Sequence, residues 1–271
     1  MASLPPQDVH DDPDLPWWRR RAQWFYAALL AGDLADHAVA EISHFPVSVE
    51  HVGTIPLPGG EFVAADYLVA SADSPPFTQR FAAEKVSVLA ARALVGEQHE
   101  RIAALILCAP GAVVRTWDIA CLPGQDPASL HGEQFFGYPV DAGVGCFASP
   151  SVMAVVERVT REDGGMLEDP MSTAIFEDGR GTRAAAVVVP DPDALPIAVG
   201  SAGWGDGLYP TWLGMDDSGN LVTAVTDFML TNDPFIVGEA PASEPPATPP
   251  PRPAPEPAPE PTSWWRRLLG S

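Results

Sequence analysis

The chain has 271 residues, enough to bury a sizeable core, and its 46% hydrophobic and 8% aromatic content is that of a globular protein rather than a disordered one. Fifteen basic residues stand against 36 acidic ones, a formal charge of −21, and the tail from Glu244 onward is balanced at three Glu and three Arg, so the whole excess lies in the body. A surface of this sign repels phosphate backbones, which argues against nucleic acid as a partner and for solubility and basic partners.

In chain order, residues 1–13 form a polar leader rich in Pro and Asp with no apolar core of the kind a secretory signal needs. Asp14 offers an N-cap and Pro16 a first-turn proline for an amphipathic helix through WWRRRAQWFYAALLAG, stopped at Gly32. Its aromatic stripe (Trp17, Trp18, Trp24, Phe25) is read as a face docked on the domain. From Val47 the period shifts towards two. VSVEHVGTIPL, EFVAADYLVA, VSVLAARALV and RIAALILCA read as strands, with Gly59-Gly60 as one turn and Gly96 to Glu100 as a loop of hairpin length. VVRTWDIA adds a strand before the break at Leu122-Pro123-Gly124. PSVMAVVERVTRED, from Pro150, is a second helix with Met153, Val156 and Val159 on one side, ended by Arg161 and Gly164-Gly165. After a polar passage come TRAAAVVVP, PIAVGSAG, LYPTWLGM and LVTAVTDFML. Strands dominate without βαβ alternation, so the expected class is α+β with a largely antiparallel sheet and a few helices, forming one globular domain over 14–239.

Beyond that point PASEPPATPPPRPAPEPAPEPT has eleven prolines in twenty-two residues. Residues 240–262 are therefore expected to be a disordered Pro-rich linker, on the order of 70 Å long at about 3.1 Å per residue in polyproline II. The linker ends in a terminal peptide, 263–271, whose WWRR repeats the tetrapeptide at 17–20. Trp264, Trp265, Arg266, Arg267, Leu268 and Leu269 are candidate partner-binding residues, presented as a tethered ligand for a protein groove or for weak contact with a membrane interface. No run approaches eighteen apolar residues, so no membrane-spanning helix is expected. Three cysteines without a CxxC pair form no disulfide framework, and the expected compartment is the reducing cytoplasm.

The stretch GSAGWGDGLYPTW, residues 200–212, reads as strand, turn and strand. Asp206-Gly207 is a two-residue hairpin signal, and Asp216 to Asn220 supplies a second turn, which together predict a three-strand meander over roughly 196–230. Pro210 confines its strand to an edge or to the start of a ladder. Gly203, Gly205 and Gly207 at alternate positions clear one face for a backbone, a ring or a ligand, with Trp204 pointing the other way.

That stretch, continued to Phe228, together with GYPVDAGVGCF at 137–147 and VVRTWDIACLPG at 113–124, resembles the bacterial proteins grouped as the domain of unknown function 4241 family. The resemblance covers the middle and C-terminal parts of the body and carries over no activity, cofactor or catalytic residue.

Asp141, Asp206 and Asp227 are the carboxylates that draw attention. In an alternating strand Asp227 shares a face with Leu221, Val225 and Met229, an unexpected place for a charge. Three converging carboxylates could hold a divalent cation or supply a general acid and base. The competing structural reading has Asp141 and Asp206 accepting N–H bonds in their own turns and Asp227 tying down a neighbouring loop. The candidate ligand-binding set is Asp141, Gly143, Gly205, Asp206, Gly207, Tyr209 and Asp227. Metal-binding and nucleophile motifs fail on spacing, so neither a metal nor a cofactor is expected. Cys146, with His131 a conceivable base, is read as an inert buried thiol. The preferred reading is a non-enzymatic binding module for a protein or small ligand. The alternative is a metal-dependent or carboxylate-based hydrolase built on the three aspartates.

Overall fold

The computed structural model describes residues 47–131, 134–162, 167–177 and 181–230. The leader, the helix expected from Asp14, the Pro-rich linker and the terminal peptide all lie outside the described residues.

In chain order the strands are β1 (Val47–Pro56), β2 (Val63–Ala65), β3 (Lys85–Gly96), β4 (His99–Cys108), β5 (Thr116–Ile119), β6 (Tyr138–Val140) and β7 (Val144–Ala148). Two helices follow, α1 (Met153–Glu162) and α2 (Pro170–Phe176), then β8 (Ala185–Val188), β9 (Ile197–Ser201), β10 (Gly207–Tyr209), β11 (Thr211–Met215) and β12 (Leu221–Asp227). The strands form a six-stranded sheet ordered β1-β3-β4-β12-β11-β5, a four-stranded sheet ordered β2-β7-β9-β8, and the pair β10-β6. Every ladder between these strands is antiparallel, as the absence of βαβ alternation predicts.

The two larger sheets face each other across one core. Val88, Leu105, Leu107, Leu213 and Ala224 of the first meet Ala64, Phe147 and Ala198 of the second. The other face of the four-stranded sheet carries Val144, Cys146 and Val199 and is covered by Met153 and Val156 of α1 and Met171 and Ile175 of α2. With both faces covered, β7 and β9 are buried along their whole length and read as continuous apolar runs. The remaining face of the six-stranded sheet buries Ala91, Ile106, Trp117, Trp212 and Val225, with Leu130, Phe135 and Phe136 packed against it.

Local chemistry accounts for several of these elements. The β11–β12 turn is built by Asp216, whose Oδ1 accepts the Ser218 and Asn220 N–H groups at 2.8 and 2.9 Å, with Gly219 at φ 77°. The Asn220 side chain holds the Asp216 carboxyl below the ordinary carboxylate range. At the start of α2, Asp169 Oδ1 accepts the N–H groups of Met171 and Ser172 at 2.9 and 3.0 Å, and Pro170 fills the first turn.

Four expectations are corrected. There is no meander over 196–230: β9 lies between β7 and β8, β10 pairs with β6, and only β11 and β12 form a hairpin. Asp206-Gly207 is not a type I′ turn, because neither residue has positive φ; the segment instead carries the chain from one sheet to another. The face shared by Leu221, Val225 and Asp227 is broken by a register shift between Gly214 and Met215. Leu221 and Ala224 therefore pack into the inter-sheet core, and Val225 on the opposite side. EFVAADYLVA is a strand only from Val63 to Ala65. Among the described residues no helix is long and apolar enough to cross a membrane.

Candidate functional site

A cleft of about 230 Å³ opens where β2, the chain that follows it, the Ala120–Gln125 turn and β6 meet. Its apolar walls come from Val63, Ala65, Ala70, Phe77, Leu122 and Phe136. The Phe77 ring is braced against Phe62, centroid to centroid at 5.2 Å, and Phe62 in turn meets Phe81 edge-on at 5.3 Å. Polar groups reach the wall at few points: Asp66, Ser74, Gln125, Tyr138 and Thr211. Gln125 Oε1 accepts the Leu122 N–H at 2.8 Å, closing the turn that carries both residues. Thr211 and Thr226 pair through their hydroxyls at 2.9 Å, and burial pushes the Tyr138 phenol well above the usual tyrosine range, against a hydrogen bond with Thr226.

Asp66 is the group that organises this wall. It lies at the end of β2, where the strand stops and the chain turns, and it is only 1% exposed. Its Oδ1 accepts the Leu68 N–H at 3.0 Å. Its Oδ2 accepts the N–H groups of Asp141 and Ala142 at 3.0 and 2.8 Å, tying β2 to the β6–β7 turn across 75 positions of sequence. Burial raises its pKa above 3.8, the three backbone bonds pull the other way, and the Asp141 charge adds a smaller push upwards. Among the described residues Asp66 has no Arg, Lys or His in ion-pair contact. Sequence reasoning missed it, since AADYLVA carries no motif and the bonds that matter come from residues far along the chain.

The sequence-predicted set sits elsewhere. Asp141 and Asp206 are exposed on turns, and Asp227 is 1% exposed at the end of β12. Asp227 Oδ1 accepts the Met229 N–H at 2.8 Å, capping a turn in which Met229 adopts φ 53°. This bond closes the turn that directly follows Asp227's own strand. Among the described residues no group of three or more His, Cys, Asp or Glu is arranged to hold a metal ion, so the three aspartates do not make a shared ion site.

Gly143, Gly205 and Tyr209 do come together, in a structural junction. Gly143 accepts the Ala202 N–H at 2.8 Å, a Cβ on Gly143 would lie 3.6 Å from Gly205 Cα, and the Tyr209 hydroxyl donates to the Gly205 carbonyl at 2.8 Å. Two of the three alternate glycines are approached from within, Gly203 by the Phe228 backbone and Gly207 by the Tyr209 ring, while a Cβ on Gly205 would meet nothing within 4 Å. Burial raises the Tyr209 pKa, and the charges of Asp206 and Asp227 add to it. Trp204 is exposed, with the Arg101 guanidinium 4.6 Å from its ring centre. Cys146 is 1% exposed and burial pushes its thiol up to about 12, which suits an inert core residue rather than a nucleophile.

The sequence profile described as Protein of unknown function (DUF4241) matches residues 55–226, a range that contains every residue lining the cleft. No curated protein and no solved structure matches the chain.

Proposed function

We propose that this chain, which belongs to the DUF4241 family, is a non-catalytic binding protein that takes a small, largely apolar molecule into the cleft between β2 and β6. The observation that carries this reading is the cleft itself: a concave, mainly apolar site with a few convergent polar groups, inside the family-matched region. Its volume of about 230 Å³ sets the size of the guest. A cavity of about 150 Å³ holds benzene, so this one suits about nine non-hydrogen atoms. The acidic body and the Trp264 to Leu269 peptide support a further role in recruitment, with the peptide engaging a partner at the end of the Pro-rich stretch.

The test is a thermal melt of the full chain with 2-phenylethanol, a neutral molecule of that size. Binding to the folded state alone raises stability by about 1.4 kcal/mol at ten times Kd, which shifts the melting temperature measurably. Ala70→Trp, which places a large side chain at a half-buried wall position, is expected to keep a cooperative melt and lose the shift. A shift that persists in Ala70→Trp places the binding elsewhere, and no shift of wild type with either this alcohol or its amine analogue, 2-phenylethylamine, refutes the reading.

A further inference from the structure

We infer that the cleft selects a protonated amine carried on an apolar, ring-sized body, with Asp66 as the group that receives the ammonium. This rests on the cleft being a ligand site, and it adds the chemical class of the ligand.

Three observations on the wall converge. Asp66 is the only ionisable acid or base of full charge among the described residues that line the cleft; every other lining group is apolar, a hydroxyl, or an amide. It is almost entirely buried and has no cationic neighbour among the described residues. Buried carboxylates are ordinarily paired with a cation or bound to a metal, because backbone hydrogen bonds alone compensate only part of the lost hydration. A carboxylate offers about four lone-pair positions, and the N–H groups of Leu68, Asp141 and Ala142 occupy three, leaving room for one more donor. Burial raises its pKa against the pull of the three backbone bonds, and a cation placed beside the carboxyl would oppose that shift.

The remaining walls favour the same guest. Phe77, Phe136 and Tyr138 add aromatic lining, which suits an apolar body and, at close range, an ammonium. No lining residue among those described would attract an anion by charge, and the formal −21 of the chain raises the local concentration of cations at the mouth.

The experiment compares three ligands of nearly equal shape on the full-length protein by calorimetric titration: 2-phenylethylamine, 2-phenylethanol and phenylacetate. Salt at roughly 0.15 M screens attraction to the outer surface. The amine is expected to bind at least tenfold more tightly than phenylacetate, with the alcohol between them. In Ala70→Trp, amine binding is expected to vanish while the melt stays cooperative. In Asp66→Asn the amine is expected to fall to the affinity of the alcohol. If that variant does not fold, the order of the three ligands on wild type still decides the matter. An alcohol that binds as well as the amine overturns the amine assignment and leaves the cleft reading intact. Amine binding that survives in Ala70→Trp also overturns it, since the amine would then sit on the acidic surface. Failure of both the amine and the alcohol to bind overturns the two readings together.

Discussion

Replacing Asp66 tests whether one buried carboxylate holds the β6–β7 turn against the end of β2. In Asp66→Ala the N–H groups of Leu68, Asp141 and Ala142, now bonded at 3.0, 3.0 and 2.8 Å, lose their acceptor together. Each orphaned donor costs about 1–3 kcal/mol when water cannot reach it. The cleft lets some water in, and removing a desolvated carboxylate returns part of the loss, so the net destabilisation is about 2–4 kcal/mol. Asp66→Asn keeps one acceptor oxygen, which serves Asp141 and Ala142 best and turns the amide NH₂ towards the Leu68 N–H; the expected cost is about 1–2 kcal/mol.

The pH dependence has a definite sign. Burial raises the Asp66 pKa above 3.8 in the fold, so the folded state takes up a proton more readily than the unfolded one. Its contribution is then fully present below the unfolded pKa and is lost as pH rises through the folded value. Wild type should therefore exceed Asp66→Asn by more at about pH 4 than at about pH 7. Urea unfolding of the full chain, with equal m-values across variants, supplies the numbers. An Asp66→Ala variant within about 0.5 kcal/mol of wild type would refute the anchoring role, because surface substitutions with no structural role fall in that range. An advantage of wild type over Asn that grows with rising pH would instead refute the upward pKa shift, since the three backbone bonds would then outweigh burial.

Two further predictions concern the junction and the tail. Gly203 has φ 40°, and a Cβ there would meet the Phe228 carbonyl oxygen at 2.5 Å and its Cβ at 2.9 Å. Gly203→Ala should cost about 2–4 kcal/mol from left-handed strain plus overpacking against backbone, read as a lower urea midpoint. A midpoint unchanged from wild type would mean that the 202–206 segment moves freely away from Phe228. Deleting residues 240–271 should leave the melting temperature nearly unchanged, since a Pro-rich stretch of this composition lacks the apolar pattern to join a core. A large drop on deletion would show that the terminal peptide docks on its own body.

The features legible in the sequence are those that a few neighbouring residues decide. The α+β class and the antiparallel pairing follow from strand-dominated patterning without regular crossover helices. The β3–β4 hairpin, the α1 face bearing Met153 and Val156, and the Asp216–Asn220 turn each rest on short-range periodicity or on a side chain bonding its own turn. Helix α2 falls in the passage read from sequence only as polar, although it too carries a local signal: Asp169-Pro170 before Met171 and Ile175, a cap, a first-turn proline and an i, i+4 apolar pair.

What the tertiary structure alone decided is long-range. Which sheet receives β9, β10 and β12 depends on backbone partners that for β12 lie more than a hundred residues away, and hydrogen-bonding groups are identical along every strand. A single register shift in the β11–β12 ladder moved Leu221 off the face of Val225, which no reading of alternation could foresee. The same holds for the site. Asp141, Asp206 and Asp227 stood out because they sit in conspicuous turn and strand contexts, yet two lie on exposed turns and the third caps Met229. Asp66 stands in an unremarkable run. It becomes the charged point of an apolar cleft only because folding removes its water and brings the Asp141 and Ala142 amides to its oxygen.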